Sequence, residues 1–433
     1  MPAKKDKVNK VKKASNKGSN KGSKKGSNKG INKINRNLSR ADIIANPNLL
    51  PKYLPDVITV PSIEKSIFDI KADIKFSPQS TFPQNSIGFQ HFIHAMKHDA
   101  IKELAIFENK KKVYEVLFNF ELFIDNYNES IGETMKKHFD TKDIMNGDFY
   151  KLWEMFFMFD LIHGEADFKS AHIDDEDNSI QNATKFYREL ITKNTKNDNY
   201  YTIKNDSDNI KDKVDFISAT NNLDNYFDNV QEQQLYKIIL NQLNLAVKIQ
   251  KKGGTFVCKI SETYTDVSIK LITMIASLYD RVYLCKPLTS RSSISEKFIV
   301  AQGFKAIDVD SKLENIISKI NQNPKLTITD IFTEYKIPVE MKVRITSFNE
   351  LLMNKQFKAL GQIITFVYSQ NFYGDAYQKA RDEQIEAAKF WNELFFMPQA
   401  EYKQNKAKIN DMSYLSNKIN LEGSLELKKK IIT

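Results

Sequence analysis

The sequence predicts an α/β protein: a mostly parallel sheet with helices on both faces, a helical N-terminal region before it and a helical C-terminal extension after it. Three observations lead there. Between residues 146 and 305, short apolar runs rich in β-branched and aromatic residues alternate with longer runs of helical period. Six prolines, from Pro47 to Pro83, crowd the stretch before that alternation. Ahead of both lies a low-complexity basic segment, with a Ser-x-Lys-Gly repeat from Ser15 to Gly30, that has nothing to bury.

In chain order, residues 1–40 read as a flexible cationic arm and residues 41–85 as an extended segment wrapping over the main domain. Residues 88–145 turn helical, with Ala95, Ile101, Leu104, Val113 and Leu117 among the candidate buried positions. His91, His94 and His98 share one helical face there. A zinc site is conceivable from that spacing, but no cysteine lies nearby, and a partly buried face is the plainer expectation. From residue 146 the expected elements are a helix at Asp148–Leu161, a strand at Phe168–Ile173 and a helix at Ser179–Thr192. A strand at Val214–Ala219, a long helix at Val230–Lys251 and a strand at Thr255–Ile260 follow. Next come a helix at Asp266–Tyr279 and two strands, Arg281–Cys285 and Lys297–Ala301, expected to run antiparallel. Residues 306–433 read as mainly helical, ending in Lys428-Lys429-Lys430. The domain boundaries expected are therefore 1–40, 41–145, 146–305 and 306–433.

Charge is unevenly placed. The net +10 of the chain arises in residues 1–40, where 14 Lys/Arg face Asp6 alone; the remainder carries 50 Lys/Arg against 53 Asp/Glu. Such an arm is expected to bind RNA or another polyanion through phosphate contacts. The two cysteines, Cys258 and Cys285, lie in apolar runs, so a reducing compartment is the simplest setting and a disulfide framework is not implied. The N-terminal charge is not followed by an apolar segment, so no signal peptide is expected, and no apolar run has the length of a membrane span.

Chemistry concentrates in a few motifs. Phe149-Tyr150-Lys151-Leu152-Trp153-Glu154 opens the alternating region; Gln231-Glu232-Gln233 and Gly253-Gly254-Thr255-Phe256-Val257-Cys258-Lys259 follow; then Lys286-Pro287-Leu288-Thr289-Ser290-Arg291 leads to Glu296. In this order they resemble the FtsJ-like ribose 2′-O-methyltransferases, which include enzymes of mRNA cap formation in eukaryotes and large DNA viruses. The resemblance covers roughly residues 146–305 and implies a Rossmann-like sheet. It also implies S-adenosylmethionine as cofactor and two lysines, an aspartate and a glutamate around the target ribose. Carried over residue by residue, the lysines are Lys151 and Lys259 and the glutamate is Glu296.

Two family features are missing. The aspartate should close the Val214–Ala219 strand, where the letters are Ala219-Thr220-Asn221-Asn222, so Thr220 replaces the acid; Asp224 is a possible substitute. The glycine-rich cofactor turn should follow Ile173, where Asp174, Asp175, Glu176 and Asp177 stand, and no glycine occurs between Gly164 and Gly253. Glycine lets backbone amides close around a cofactor because it has no Cβ. The acids could instead chelate a cation or, more plainly, cap the helix that follows. The expectation is a degenerate homologue without catalysis, binding RNA or supporting an active methyltransferase or capping partner, without bound S-adenosylmethionine and without a metal. The alternative is an active S-adenosylmethionine-dependent RNA ribose methyltransferase with a divergent cofactor site. The expected location is cytoplasmic, in the host cytoplasm or the virion if the source is viral.

Overall fold

The structure is a computed structural model; it describes residues 55–106, 136, 146–165, 167–204, 212–221 and 230–369, with residues 375, 379, 382, 383, 387, 388, 391 and 395. The basic arm, Val113 and Leu117, Asn222, Asp224 and the Lys428–Lys430 run lie outside the described residues.

The described elements run β1 (Asp56–Thr59), β2 (Ile74–Ser77), α1 (Ile87–Ile106), α2 (Gly147–Phe159), β3 (Lys169–Ile173), α3 (Ser179–Ile191), β4 (Asn199–Ile203), β5 (Val214–Ala219), α4 (Gln231–Ile249), β6 (Gln250–Ile260), α5 (Asp266–Leu278), β7 (Tyr279–Lys286), β8 (Lys297–Phe304), α6 (Asp310–Gln322), β9 (Thr327–Ile331) and α7 (Val339–Ser369). Seven strands form one sheet in the order β1-β7-β8-β6-β5-β3-β4. Strand β3 pairs in parallel with both β4 and β5, and β5 with β6. Strand β8 inserts antiparallel between β6 and β7, and β1 is antiparallel to β7. Five strands, β4, β3, β5, β6 and β7, therefore run in one direction and only β8 and β1 run against them, so the sheet is mixed but mostly parallel in direction, as expected.

Side chains alternate across the sheet, as the pleat requires, and this splits the core in two. Ala171, Ile217, Phe256, Cys258 and Ile299 face α4 and α5 on one side. Phe216, Val257, Phe298 and Val300 face α2 and α3 on the other, joined by Trp391 and Phe395. Helix α5 is buried around its whole circumference, as expected of an apolar helix held between layers. Its N-cap Thr265 accepts from Ser268 N at 3.3 Å. Within α3, Arg188 is fully buried and donates to both carboxylate oxygens of Asp198 at 2.8 and 3.0 Å.

Two expectations need correction and one an addition. The proline-rich segment does more than wrap the surface: β1 extends the main sheet, and Ile67 and Phe68 enter the core. Beyond residue 306 the described residues are mainly helical, with one strand among them: β9 pairs with β2 in a second, two-stranded sheet. In α1, Ala95 is exposed, while Ile93 and Lys97 turn inward. Among the described residues, no helix is long and apolar enough to cross a membrane.

Candidate functional site: a four-charge cluster beside an acidic turn

The parallel strands end at one edge of the sheet, where ligands sit in open α/β folds. Lys259 is the penultimate residue of β6, Thr220 lies directly after β5, Asp174 directly after β3, and Glu296 just before the antiparallel β8. Helix α2 brings Lys151 to the same edge. Asn146 caps this helix through Oδ1, which accepts from Asp148 N at 2.9 Å and Phe149 N at 3.2 Å.

Lys151, Lys259 and Glu296 converge. Lys151 Nζ lies 2.8 Å from Glu296 Oε1, and Lys259 Nζ lies 3.1 Å from the same oxygen. Thr220 takes no part in these contacts. Its hydroxyl donates back to the carbonyls of Ile173 and Asp174, at 3.4 and 3.0 Å. The second acid of the cluster is Asp148, which the motif comparison did not single out. Its Oδ1 is 2.9 Å from Lys151 Nζ and its Oδ2 is 3.4 Å from Lys259 Nζ. Two ammonium groups and two carboxylates thus alternate around a small, largely buried ring. The signal for Asp148 was present in the sequence: at three residues before Lys151 it shares a face of the helix.

Electrostatics follow from this packing. Burial alone would lower Lys151, but the charges of Asp148 and Glu296 outweigh it and hold the ammonium above the ordinary lysine range. Burial would raise Glu296, yet Lys151, Lys259 and Lys286 hold it well below the usual carboxylate range. Asp148 is lowered in the same way, chiefly by Lys151 and Lys259 against its own burial. Around the ring, Ser290 Oγ donates to Glu296 Oε2 at 2.8 Å, and Lys286 Nζ donates to Ser290 Oγ and to the Glu296 carbonyl at 3.0 and 2.9 Å.

The acidic turn is organised inward. Asp175 accepts from Ile180 N at 3.2 Å and Gln181 N at 2.9 Å, and Asp177 Oδ1 accepts from Ser179 N at 3.0 Å. These are the first amides of α3. Asp177 Oδ2 also accepts from Asn146 Nδ2 at 2.7 Å, which ties the turn to the cap of α2. Asp174 Oδ2 is taken by Gln242 Nε2 at 2.8 Å, and the same amide reaches the Thr220 carbonyl at 2.5 Å. Glu176 is exposed. Asp174 and Asn178 both have φ of 60°, a left-handed backbone that aspartate and asparagine tolerate better than most residues. Burial raises Asp175 despite its two amide donors.

The histidine face of α1 does not assemble. His91 and His98 are exposed, whereas His94 turns to Glu262 at 3.6 Å beside the buried Lys97–Glu262 pair at 2.5 Å. Among the described residues, no group of three or more His, Cys, Asp or Glu is placed to hold a metal ion.

Comparison with known proteins bears on the same region. A family model described as FtsJ-like methyltransferase matches residues 168–304. The chain is 30% identical over 173 residues to cap-specific mRNA (nucleoside-2′-O-)-methyltransferase 1 of Xenopus laevis, covering 38% of this chain and 20% of that protein. It is 32% identical over 149 residues to the Homo sapiens protein of the same name, covering 32% and 18%. It is also 28% identical over 173 residues to the inactive cap-specific mRNA (nucleoside-2′-O-)-methyltransferase 1B of Caenorhabditis briggsae, covering 38% and 20%. The chain spans about a fifth of the length of these curated relatives. The matched residues begin next to β3 and end with β8, so they contain six of the seven strands of the main sheet, the acidic turn and two members of the charge cluster, and the domain they span is similar to FtsJ-like methyltransferases.

Proposed function

We propose that this chain is a degenerate cap-type ribose 2′-O-methyltransferase homologue that binds RNA, or supports an active capping methyltransferase, without transferring a methyl group. One observation carries the reading: the N-terminus of α3 is filled by the chain's own carboxylates. In nucleotide-binding α/β folds that helix end offers amides and a positive dipole to the ligand. Here Asp175 and Asp177 take three of those amides, and Gln242 spans the ends of β3 and β5. The turn is therefore a poor fit for S-adenosylmethionine, whose carboxylate would meet acids where it needs donors. Lys151 adds support, since a lysine held in its charged form is a poor base for a ribose hydroxyl. A relative named inactive gives such loss a precedent. A cytoplasmic site of action, or a virion if the source is viral, belongs to the same reading.

The test pairs two measurements on the full chain. Incubation with methyl-labelled S-adenosylmethionine and capped RNA should transfer no label, while the same RNA is retained by the protein on a filter. Label appearing on the first transcribed ribose would contradict the proposal. The second reading, an active transferase with a divergent cofactor site, is favoured by the completeness of the charge cluster. Asp148 restores the second carboxylate that the loss at Thr220 removes.

A further inference from the structure

We infer that Asp148 is the acid that contacts the ribose 2′-hydroxyl of a bound RNA, in the role vacated at Thr220. The inference rests on the reading that the charge cluster faces ribose, and goes beyond it by assigning the acid to a different element of the fold.

Geometry carries the assignment. An acid serves this cluster only if it reaches both lysines, and Asp148 does so with its two separate oxygens. A plain ion pair between residues three apart on a helix would need only Lys151. The bridge to Lys259 connects α2 to β6 across 111 positions of sequence. Of the four side chains Asp148 is the most open, at 17% against 5–10% for the others. It is thus the member best placed to accept from an incoming hydroxyl. Thr220, by contrast, is committed to the backbone of the β3 turn, and Asn221 Nδ2 donates to the Lys259 carbonyl at 2.8 Å. The end of β5 therefore braces the lysine strand and does not reach the ring. Helix α2 starts at Gly147, before the matched family residues, and Asn146 fixes the first turn on which Asp148 sits.

The experiment is a competition titration with the full chain and three oligonucleotides of one sequence: RNA, DNA and fully 2′-O-methylated RNA. All three carry the same phosphates, so contacts from the basic arm cancel and the differences report the hydroxyl. Wild type should prefer RNA by about tenfold, the factor a hydrogen bond to a charged group contributes. Asp148→Asn, which keeps an acceptor but loses the charge, should cut that preference to about threefold or less. If wild type shows no preference, the ribose reading itself fails and the inference with it. If wild type prefers RNA and Asp148→Asn prefers it equally, the inference alone is overturned. Removing one carboxylate from a buried ring can also disturb folding. The charge-balanced variant Lys151→Met/Asp148→Asn, compared with Lys151→Met alone, covers that case. The double variant should lose RNA preference beyond the single one, and equal preference in the two would overturn the assignment.

Discussion

Glu154 and Trp391 meet across 237 positions of sequence: the indole Nε1 donates to Glu154 Oε1 at 2.8 Å, in a fully buried site. The same carboxylate accepts from Leu288 N at 2.7 Å and Thr289 N at 2.8 Å. The glutamate that ends the Lys-Leu-Trp-Glu motif is therefore the post that holds the Lys286–Arg291 loop. That loop in turn supplies Ser290 to Glu296. One residue earlier, Trp153 Nε1 donates to the Phe395 carbonyl at 3.0 Å, so residues 391 and 395 both fasten the helix that carries Lys151 and Asp148.

A pH dependence follows from Glu154. Burial outweighs its three donors and pushes its carboxyl up to about 7, from an ordinary value of 4.5. The folded state thus keeps a proton that the unfolded state has lost between pH 4.5 and 7. The stabilisation from this group is fully present below pH 4.5 and is lost as pH rises through 7, an effect on the order of 3 kcal/mol. Denaturant melts across that window should show wild type losing stability relative to Glu154→Gln. The difference between the two proteins isolates this group from Glu232 and Asp175, which shift the same way. A flat or rising difference would contradict the assignment.

Gly254 is fixed by its neighbours. A Cβ there would stand 2.8 Å from the Lys251 carbonyl and 3.0 Å from the Asp215 carbonyl, neither of which can swing aside as a side chain can. The β5–β6 register shifts at this point, between Val214 and Phe216, so the Gly-Gly pair serves a bulge in the sheet. Gly254→Ala should cost about 1–3 kcal/mol. Gly253 has φ of +80° and open space around it, so Gly253→Ala should cost about 1–2 kcal/mol through backbone strain alone. Thermal melts of the two variants check both values.

Polyanion binding should depend on residues 1–40, whose Lys/Arg excess the rest of the chain does not share. Counterion release makes such binding weaken steeply with salt, with little sequence preference. The segment has no aromatic residue, so base stacking adds nothing from it. Deleting residues 1–40 should flatten the slope of log affinity against log salt. An unchanged slope would move the phosphate contacts to the folded domain.

Much of the sheet was legible because its strands and helices carry strong, distinct periods. Val214–Ala219 was read with the bounds the structure gives, and α2, α3 and α5 were placed within two residues at each end. Strands β1, β2, β4 and β9 were not. Each has four or five residues, and β1 and β9 find their partners far away in sequence, so no local signal marks them. The candidate site divides along the same line. Lys151, Lys259 and Glu296 come together as the ordered motifs implied. The acid did not follow its motif, because a motif records a position along the chain whereas a carboxylate acts from a position in space. Asp148 reaches that place from a helix: its spacing marks the pair with Lys151, but the bridge to Lys259 depends on the packing of α2 against the sheet edge.

The chain's own aspartates occupy the helix end a cofactor would need. Isothermal titration of the full chain with S-adenosylmethionine tests it most directly. The account predicts no measurable heat of binding at concentrations up to the millimolar range, a free energy weaker than about −4 kcal/mol. The double variant Asp175→Gly/Asp177→Gly, which frees the α3 amides, serves as the comparison. Micromolar binding by the wild-type chain would contradict the account and favour a working methyltransferase.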